Sequence, residues 1–585
     1  MSVKEIVTLQ VGHYANYIGS HWWNIQESSF VYNSSQLTGP KEINHDVLYR
    51  EGENLRREVT YTPRLVLFDL KGSLKTLKQE GTLYDTYIEG DDIKWRGDVT
   101  MHKEDYINKN AYLRSLEDDR MVDDDDDDDD ESKAQKDDND DNKSDDEEKE
   151  TKKKKSDHQE VDNVELEGAE AYQLDDHITT WSDYLGTCFH PRTVHVVEEY
   201  RHQDELRPFD MFQSASDVLA NYESTCEWED RLHYFAEECD NLQGFHVVMD
   251  THNGFGGLGT GLIRYLEDEF PGKGILALGC TPADVVDNTA QARANRIINS
   301  ALAYETASCH SSLFVPLSLA SGLWRTVGNP VSFPHLNYKR TPYHTSAILA
   351  SCLDTMSLPY RMETSYMSIR DITHSFNSQG RKIATLNACF PFGLYKDESL
   401  IDYFSLYGDK FPWQPVTPHV SGLKIPFMQS AVMRGVNDTL VPTQTNPETL
   451  PRHLVIAKTK EQVLKNYLED KSCGNLYVST CLQNTMKTTK PFPQIFNKNV
   501  TCDGFVSQSD RPDGCHVNSV PMMTSLQSSP EVSDVIKNLY DAASRINIKK
   551  QHQYMSAGLE EDDYLEVLSS LHSLSDNYKT DVEAL

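Results

Sequence analysis

Apolar and polar positions along the chain follow two periods, and the switch from one to the other marks strand–turn–helix units. Glu5-Ile6-Val7-Thr8-Leu9-Gln10 predicts a strand; Gly12 turns the chain, and Ala15, Ile18, Gly19, Trp22 and Trp23 then recur at helical spacing. The unit returns at residues 241–270. There Phe245 to Asp250 reads as a buried strand and Gly254, Gly256, Gly257 and Gly259 crowd the turn, while Leu258, Leu262, Ile263, Leu266 and Phe270 give a helix face. A further strand, Ile275 to Cys280, follows. Such alternation predicts a doubly wound α/β domain.

The pattern then changes. Ser346 to Met356 predicts a helix with Ile348, Leu349, Cys352, Leu353 and Met356 as its apolar face. Lys382 to Leu386 and Leu454-Val455-Ile456-Ala457 read as strands. The tail is helical, with Leu559, Tyr564, Leu565, Leu568, Leu571 and Leu574 largely on one face, expected to pack on the second domain. The organisation expected is a first α/β domain of residues 1–115 and 170–345 interrupted by an insertion at 116–169. A second α+β domain at 346–530 and C-terminal helices at 531–585 complete it. No internal repeat is visible.

Charge adds the reason for the interruption. The 585 residues carry a net charge of −36 and a pI of about 4.9. Residues 117–170 hold 27 acidic against 9 basic side chains, half of that charge, including Asp123–Asp130 and the basic run Lys152–Lys155. Almost no large apolar residue lies among them, so this stretch cannot offset its own ordering entropy and reads as a disordered acidic insertion. The negative balance argues against nucleic acid as a partner and against adhesion to anionic lipid. Eleven scattered cysteines without a C-x-x-C read as reduced thiols of a cytosolic protein. No presequence or transmembrane run is visible, so any organelle contact is expected to be peripheral, on the cytosolic face.

Glycines after a strand let backbone amides approach an anion at a helix N-terminus. Gly254-Phe255-Gly256-Gly257-Leu258-Gly259 spells G-x-G-x-x-G, but no acid ends the strand Ile275 to Cys280 to take a ribose, and no P-loop lysine motif occurs. A tight turn that only packs helix on sheet explains the same glycines. His190 and His246 have no second ligand at helical or hairpin spacing and read as structural, and no metal site is expected.

The run KEIVTLQVGHYANYIGSHWW resembles the start of tubulins. YTPRLVLFDLKGSL at 61–74 resembles their next nucleotide-side strand, leading to Asp69, and AEECDNLQGF at 236–245 the segment before their glycine loop. WSDYLGTCFHPRTV at 181–194 and the acidic insertion bring the chain closer still to the misato family, a divergent tubulin-like branch. The resemblance covers nearly the whole chain and implies a tubulin-like fold. It places the nucleotide pocket on Gln10, Gly12, His13, Tyr14, Asp69, Lys71, Gly254, Gly256, Gly257 and Gly259.

Departures from the tubulin pattern imply a degenerate pocket. His13 and Tyr14 replace a Gln and a Cys, and His252 and Phe255 bring bulk to the glycine loop, while Lys71, which replaces an acid, either reverses a charge where a metal would sit or meets a phosphate directly. The helix at 346–356 has no acid in its first turn, and Asp354 lies too far along to orient a water. General-base assistance of about 10²–10⁴-fold is then lost. The family resemblance implies a non-enzymatic regulator of mitochondrial distribution, morphology and fusion, cytoplasmic and peripheral to the mitochondrial outer membrane, with no required cofactor. It also implies a role in spindle microtubule assembly with tubulin, the cytosolic chaperonin and prefoldin. That reading leaves room for weak GTP binding; the alternative is a GTP-binding, self-associating tubulin-like protein with slow or partner-activated hydrolysis.

Overall fold

The computed structural model describes residues 4–30, 41–83, 107–117 and 174–579, with breaks of one to three residues inside the second and fourth stretches. The acidic insertion expected at 116–169 lies almost wholly outside the described residues.

Eight strands precede residue 320: β1 (Ile6–Val11), β2 (Tyr49–Glu53), β3 (Val59–Pro63), β4 (Leu65–Lys71), β5 (Val194–Arg201), β6 (Gly244–Asp250), β7 (Gly274–Cys280) and β8 (Leu313–Leu317). β2 and β3 form a separate antiparallel hairpin ladder. The other six make one parallel sheet in the order β5-β4-β1-β6-β7-β8. Strands β1, β6, β7 and β8 are buried at every residue, which requires cover on both faces. That cover comes from α1 (His13–Glu27), α2 (Tyr222–Glu237), α3 (Gly254–Glu269) and α4 (Ala290–His310). This is the doubly wound arrangement that the alternating pattern predicts.

The chain runs from β1 outward to β4 and β5, then returns to β6 and continues to the opposite edge. The strand order therefore reverses between β1 and β6. Ligands of such sheets bind in the crevice beyond the carboxyl ends of the strands at that reversal, and Gly12 and Asp250 stand there.

Helix α5 (Pro342–Met356) begins four residues before the predicted start, because Pro342 fits the first turn of a helix. All but its first residue is buried. It packs along α1 on one side and against a second sheet on the other. That sheet contains β9 (Thr385–Cys389), β10 (Gln414–Pro415), β11 (Met428–Arg434), β12 (Leu476–Leu482) and β13 (Met522–Ser528), in the order β10-β9-β13-β11-β12.

Four expectations are corrected. Leu454-Val455-Ile456-Ala457 is not a strand: Arg452–Val455 is a short helix after Pro451, and Ile456 is 73% exposed. An apolar run this short has no period that separates the two states. Secondly, Leu565 is exposed although Tyr564, Leu568 and Leu571 of its helix are buried. Thirdly, that helix, α7 (Glu561–Asp576), packs with α6 (Glu531–Ala543) chiefly onto α4 of the first domain, and meets the second domain just beyond its end, where Tyr578 donates to the Ile383 carbonyl at 2.7 Å. The adjoining Tyr554 fixes the contact by donating its hydroxyl to Asn299 at 2.7 Å. Finally, Cys502 and Cys515 are joined as a disulfide, because the loop between them folds back; eight other described cysteines are free.

Candidate functional site

The carboxyl ends of β1, β4 and β6 bring three segments together. Gly12 caps α1 with φ +121°, a conformation that favours glycine, and a Cβ there would stand 2.6 Å from Asp250. Asp250 ends β6 and turns its carboxylate onto the first turn of α1. The Tyr14 amide donates to Oδ2 at 3.1 Å and the Ala15 amide to Oδ1 at 2.9 Å. These amides, with the positive end of the helix dipole, are what an anion at this position would need. Burial pushes the Asp250 carboxyl up to about 7, and Asp69 adds to it, while the two amides and His13 favour the anion.

Asp69, near the end of β4, is fully buried. Its Oδ2 accepts from the Trp181 indole at 2.7 Å and the Asn16 amide at 3.1 Å, and lies 3.1 Å from His13 Nδ1. Its Oδ1 accepts from the Leu70 amide at 2.8 Å. Burial opposes ionisation, but His13, the Leu70 amide and the indole outweigh it and hold the carboxyl below its ordinary range. Burial likewise works against protonation of His13, and Asp69 reverses that and raises its pKa. The His13 ring lies 4.2 Å from that of His202, just beyond β5.

Tyr14 is buried between α1 and α5, and its hydroxyl donates to Thr345 at 3.0 Å. Gln10 is buried with its side chain against Gly19, and neither amide atom has a partner among the described residues. Lys71 is exposed, and its carbonyl accepts from the His202 amide at 2.9 Å.

Gly254, Gly256, Gly257 and Gly259 lie within α3 itself, all buried. A Cβ on Gly254 would stand 2.8 Å from the Phe209 ring, and one on Gly259 2.6 Å from Met249 Sδ. One on Gly257 would collide with the Phe212 carbonyl oxygen. The glycines let α3 lie tightly on β6 and on the segment 209–215, which accounts for their density. Gly257→Ala is therefore expected to cost about 1–3 kcal/mol by overpacking. A urea midpoint unchanged from the parent would contradict this close approach.

The structure thus gathers His13, Tyr14 and Asp69 around the first turn of α1, and leaves Gly256, Gly257 and Gly259 in a packed helix. Sequence reading missed Asp250, Asn16, Trp181 and His202. Asp250 carried a signal, being the acid that ends the strand before the glycines. Trp181 and His202 carried none, since each reaches the site from more than 100 residues along the chain. His246, buried, pairs with the Tyr360 hydroxyl at 2.8 Å, and His190 stacks on Tyr234. Among the described residues no helix is long and apolar enough to cross a membrane.

A family model described as the Misato Segment II tubulin-like domain matches residues 4–118, and one described as a Tubulin domain matches residues 171–362. The chain is 35% identical to Protein misato homolog 1 of Homo sapiens over 580 residues, covering 98% of both chains. Protein misato homolog 1 of Danio rerio is 34% identical over 585 residues, covering 98% of this chain and 97% of its own. Protein misato of Drosophila melanogaster is 27% identical over 589 residues, covering 98% of both.

Proposed function

Because this chain belongs to the misato family of tubulin-like proteins, we propose that it is a non-enzymatic scaffold with a tubulin-like fold. Its proposed role is to regulate mitochondrial distribution, morphology and fusion, and to assist spindle microtubule assembly alongside tubulin, the cytosolic chaperonin and prefoldin. It does so from the cytoplasm and the mitochondrial surface. One observation carries the non-enzymatic reading: the Asp250 carboxylate already takes the two α1 amides that a nucleotide phosphate would need. An anion competing for them would meet the Asp250 charge or require its displacement. Tyr14 and the packed glycines of α3 support the same reading. The first turn of α5 carries no acid to orient a water. Asp354, further along, is held between two arginines.

Two measurements test the proposal. Denaturing the purified chain is expected to release no guanine nucleotide, and titration with GTP and magnesium to give no heat of binding. Stoichiometric nucleotide or micromolar affinity would replace this reading with that of a GTP-binding, self-associating protein. Depleting the protein from cells is expected to disturb both mitochondrial distribution and the spindle. Normal mitochondria and normal spindles after complete depletion would remove the organelle role.

A further inference from the structure

His13, Asp69 and His202 form a cluster that the scaffold reading does not use. One ring nitrogen from each histidine and one Asp69 oxygen all lie within 4.8 Å of one another. No other group of three or more His, Cys, Asp or Glu side chains converges in this way among the described residues. A zinc ion bound at about 2.0–2.2 Å holds neighbouring donors about 3–3.5 Å apart. His13 Nδ1 and Asp69 Oδ2, at 3.1 Å, already have that spacing. His202 needs only a small ring movement, and its half-buried position beyond the edge strand β5 permits one.

The carboxylate is also oriented in advance. The Leu70 amide holds Oδ1, the oxygen turned away from His13, as hydrogen bonds behind metal ligands do, while Trp181 and Asn16 fix the position of Oδ2 itself and would share it with the ion. Each ligand comes from a different segment: the start of α1, the end of β4 and the turn after β5. The β5 segment is positioned by the Lys71 carbonyl, which accepts the His202 amide. Two imidazoles and one carboxylate suit zinc and the neighbouring divalent transition metals, whereas magnesium and calcium prefer oxygen donors throughout. The His13 side chain keeps 24% of its surface open, which leaves a solvent-facing fourth position.

We propose that His13, Asp69 and His202 bind one divalent transition-metal ion of the zinc type, with a fourth coordination position open to water or to a partner's donor group. The ion ties the edge of the parallel sheet to the first turn of α1.

The test uses the full-length protein, stripped with chelator, kept reduced, and held in excess magnesium to occupy weak acidic sites. Calorimetry with zinc is expected to show one tight equivalent. His202→Ala, which removes a half-buried ligand and leaves the Asp69 hydrogen bonds intact, is expected to weaken it by on the order of 100-fold. Zinc is expected to raise the melting temperature of the parent and not of that variant. Cobalt substitution is expected to give visible ligand-field bands without a thiolate charge-transfer band. Absence of a tight equivalent, unchanged zinc affinity in folded His202→Ala, or a cobalt spectrum dominated by thiolate would each overturn the proposal. Should His202→Ala fail to fold, His13→Gln read by the same cobalt spectrum decides it: a retained spectrum overturns the site and a lost one supports it.

Discussion

Replacing Asp354 with alanine is expected to lower the unfolding free energy by about 3–5 kcal/mol, as removal of one partner from a buried ion pair does. Asp354 lies near the end of α5 and is buried. Arg361 Nη1 donates to Oδ1 at 2.9 Å and Arg434 Nη1 to Oδ2 at 2.7 Å. Both arginines are themselves buried and have further partners. Arg361 reaches Gln26 of α1 at 3.0 Å, and Arg434 reaches the Thr485 carbonyl at 3.1 Å. The triad therefore links the first helix, the bridging helix and the second sheet. Removing the carboxylate leaves two guanidinium groups facing each other without a counter-charge.

The pH dependence supplies a second readout. Burial opposes ionisation of Asp354, but Arg361 and Arg434 outweigh it and depress the pKa. A depressed carboxyl contributes stability that is present above its unfolded pKa, about 3.9, and is lost as pH falls toward the folded value. The lead of the parent over Asp354→Asn should thus shrink on acidification below about pH 4. Urea titrations followed by tryptophan fluorescence measure both effects at matched slope. A loss under about 1 kcal/mol would mean that water or backbone carbonyls already satisfy the arginines.

Asp250→Ala is expected to cost about 2–6 kcal/mol, because the Tyr14 and Ala15 amides lose their acceptor inside the protein, each worth about 1–3 kcal/mol when stranded. The opposite sign of shift gives this residue a distinct signature. Its folded pKa is raised to about 7, against about 3.9 unfolded. The folded state therefore binds the proton more tightly, and the stability it gains is complete below about pH 4 and lost as pH rises through about 7. Relative to Asp250→Asn, which cannot titrate, the parent should lose up to about 4 kcal/mol across that window. A difference between the two that stays flat from acid to neutral pH would show that the helix amides hold the carboxylate ionised throughout. Either result bears on the proposed function, since an ionised Asp250 repels a phosphate more strongly than a neutral one.

Much of the fold was legible in the sequence, because strand and helix periods are local and the buried strands are apolar at nearly every position. β1, β6 and β7 follow the predicted runs within a residue, whereas α3 begins at Gly254, four residues before its predicted apolar face, so the glycines expected to form a turn are its first turns. The family was legible too, from short segments that keep their order along the chain. The altered residues His13, Tyr14 and Lys71 were visible as departures, but their consequences were not. That Tyr14 meets Thr345 and that His13 meets Asp69 depends on which strands become neighbours, and pairing is a long-range choice. The short run at 454–457 failed for a related reason: burial of Leu454 and Ala457 and the preceding Pro451 decided its state, not its hydropathy.

The sequence by itself determined the alternation of elements, the turn into α1 at Gly12 and the density of glycines after β6, which it read as a turn. Only the tertiary structure decided what those features do. It set Asp250 against the α1 amides across the reversal between β1 and β6, and sank the α3 glycines into packing with segment 209–215. It also carried Trp181 and His202 to Asp69 from more than 100 residues away. Hydropathy periods record how one segment meets solvent. A polar side chain's role depends on the partner it finds when distant segments dock, and no local pattern carries that information.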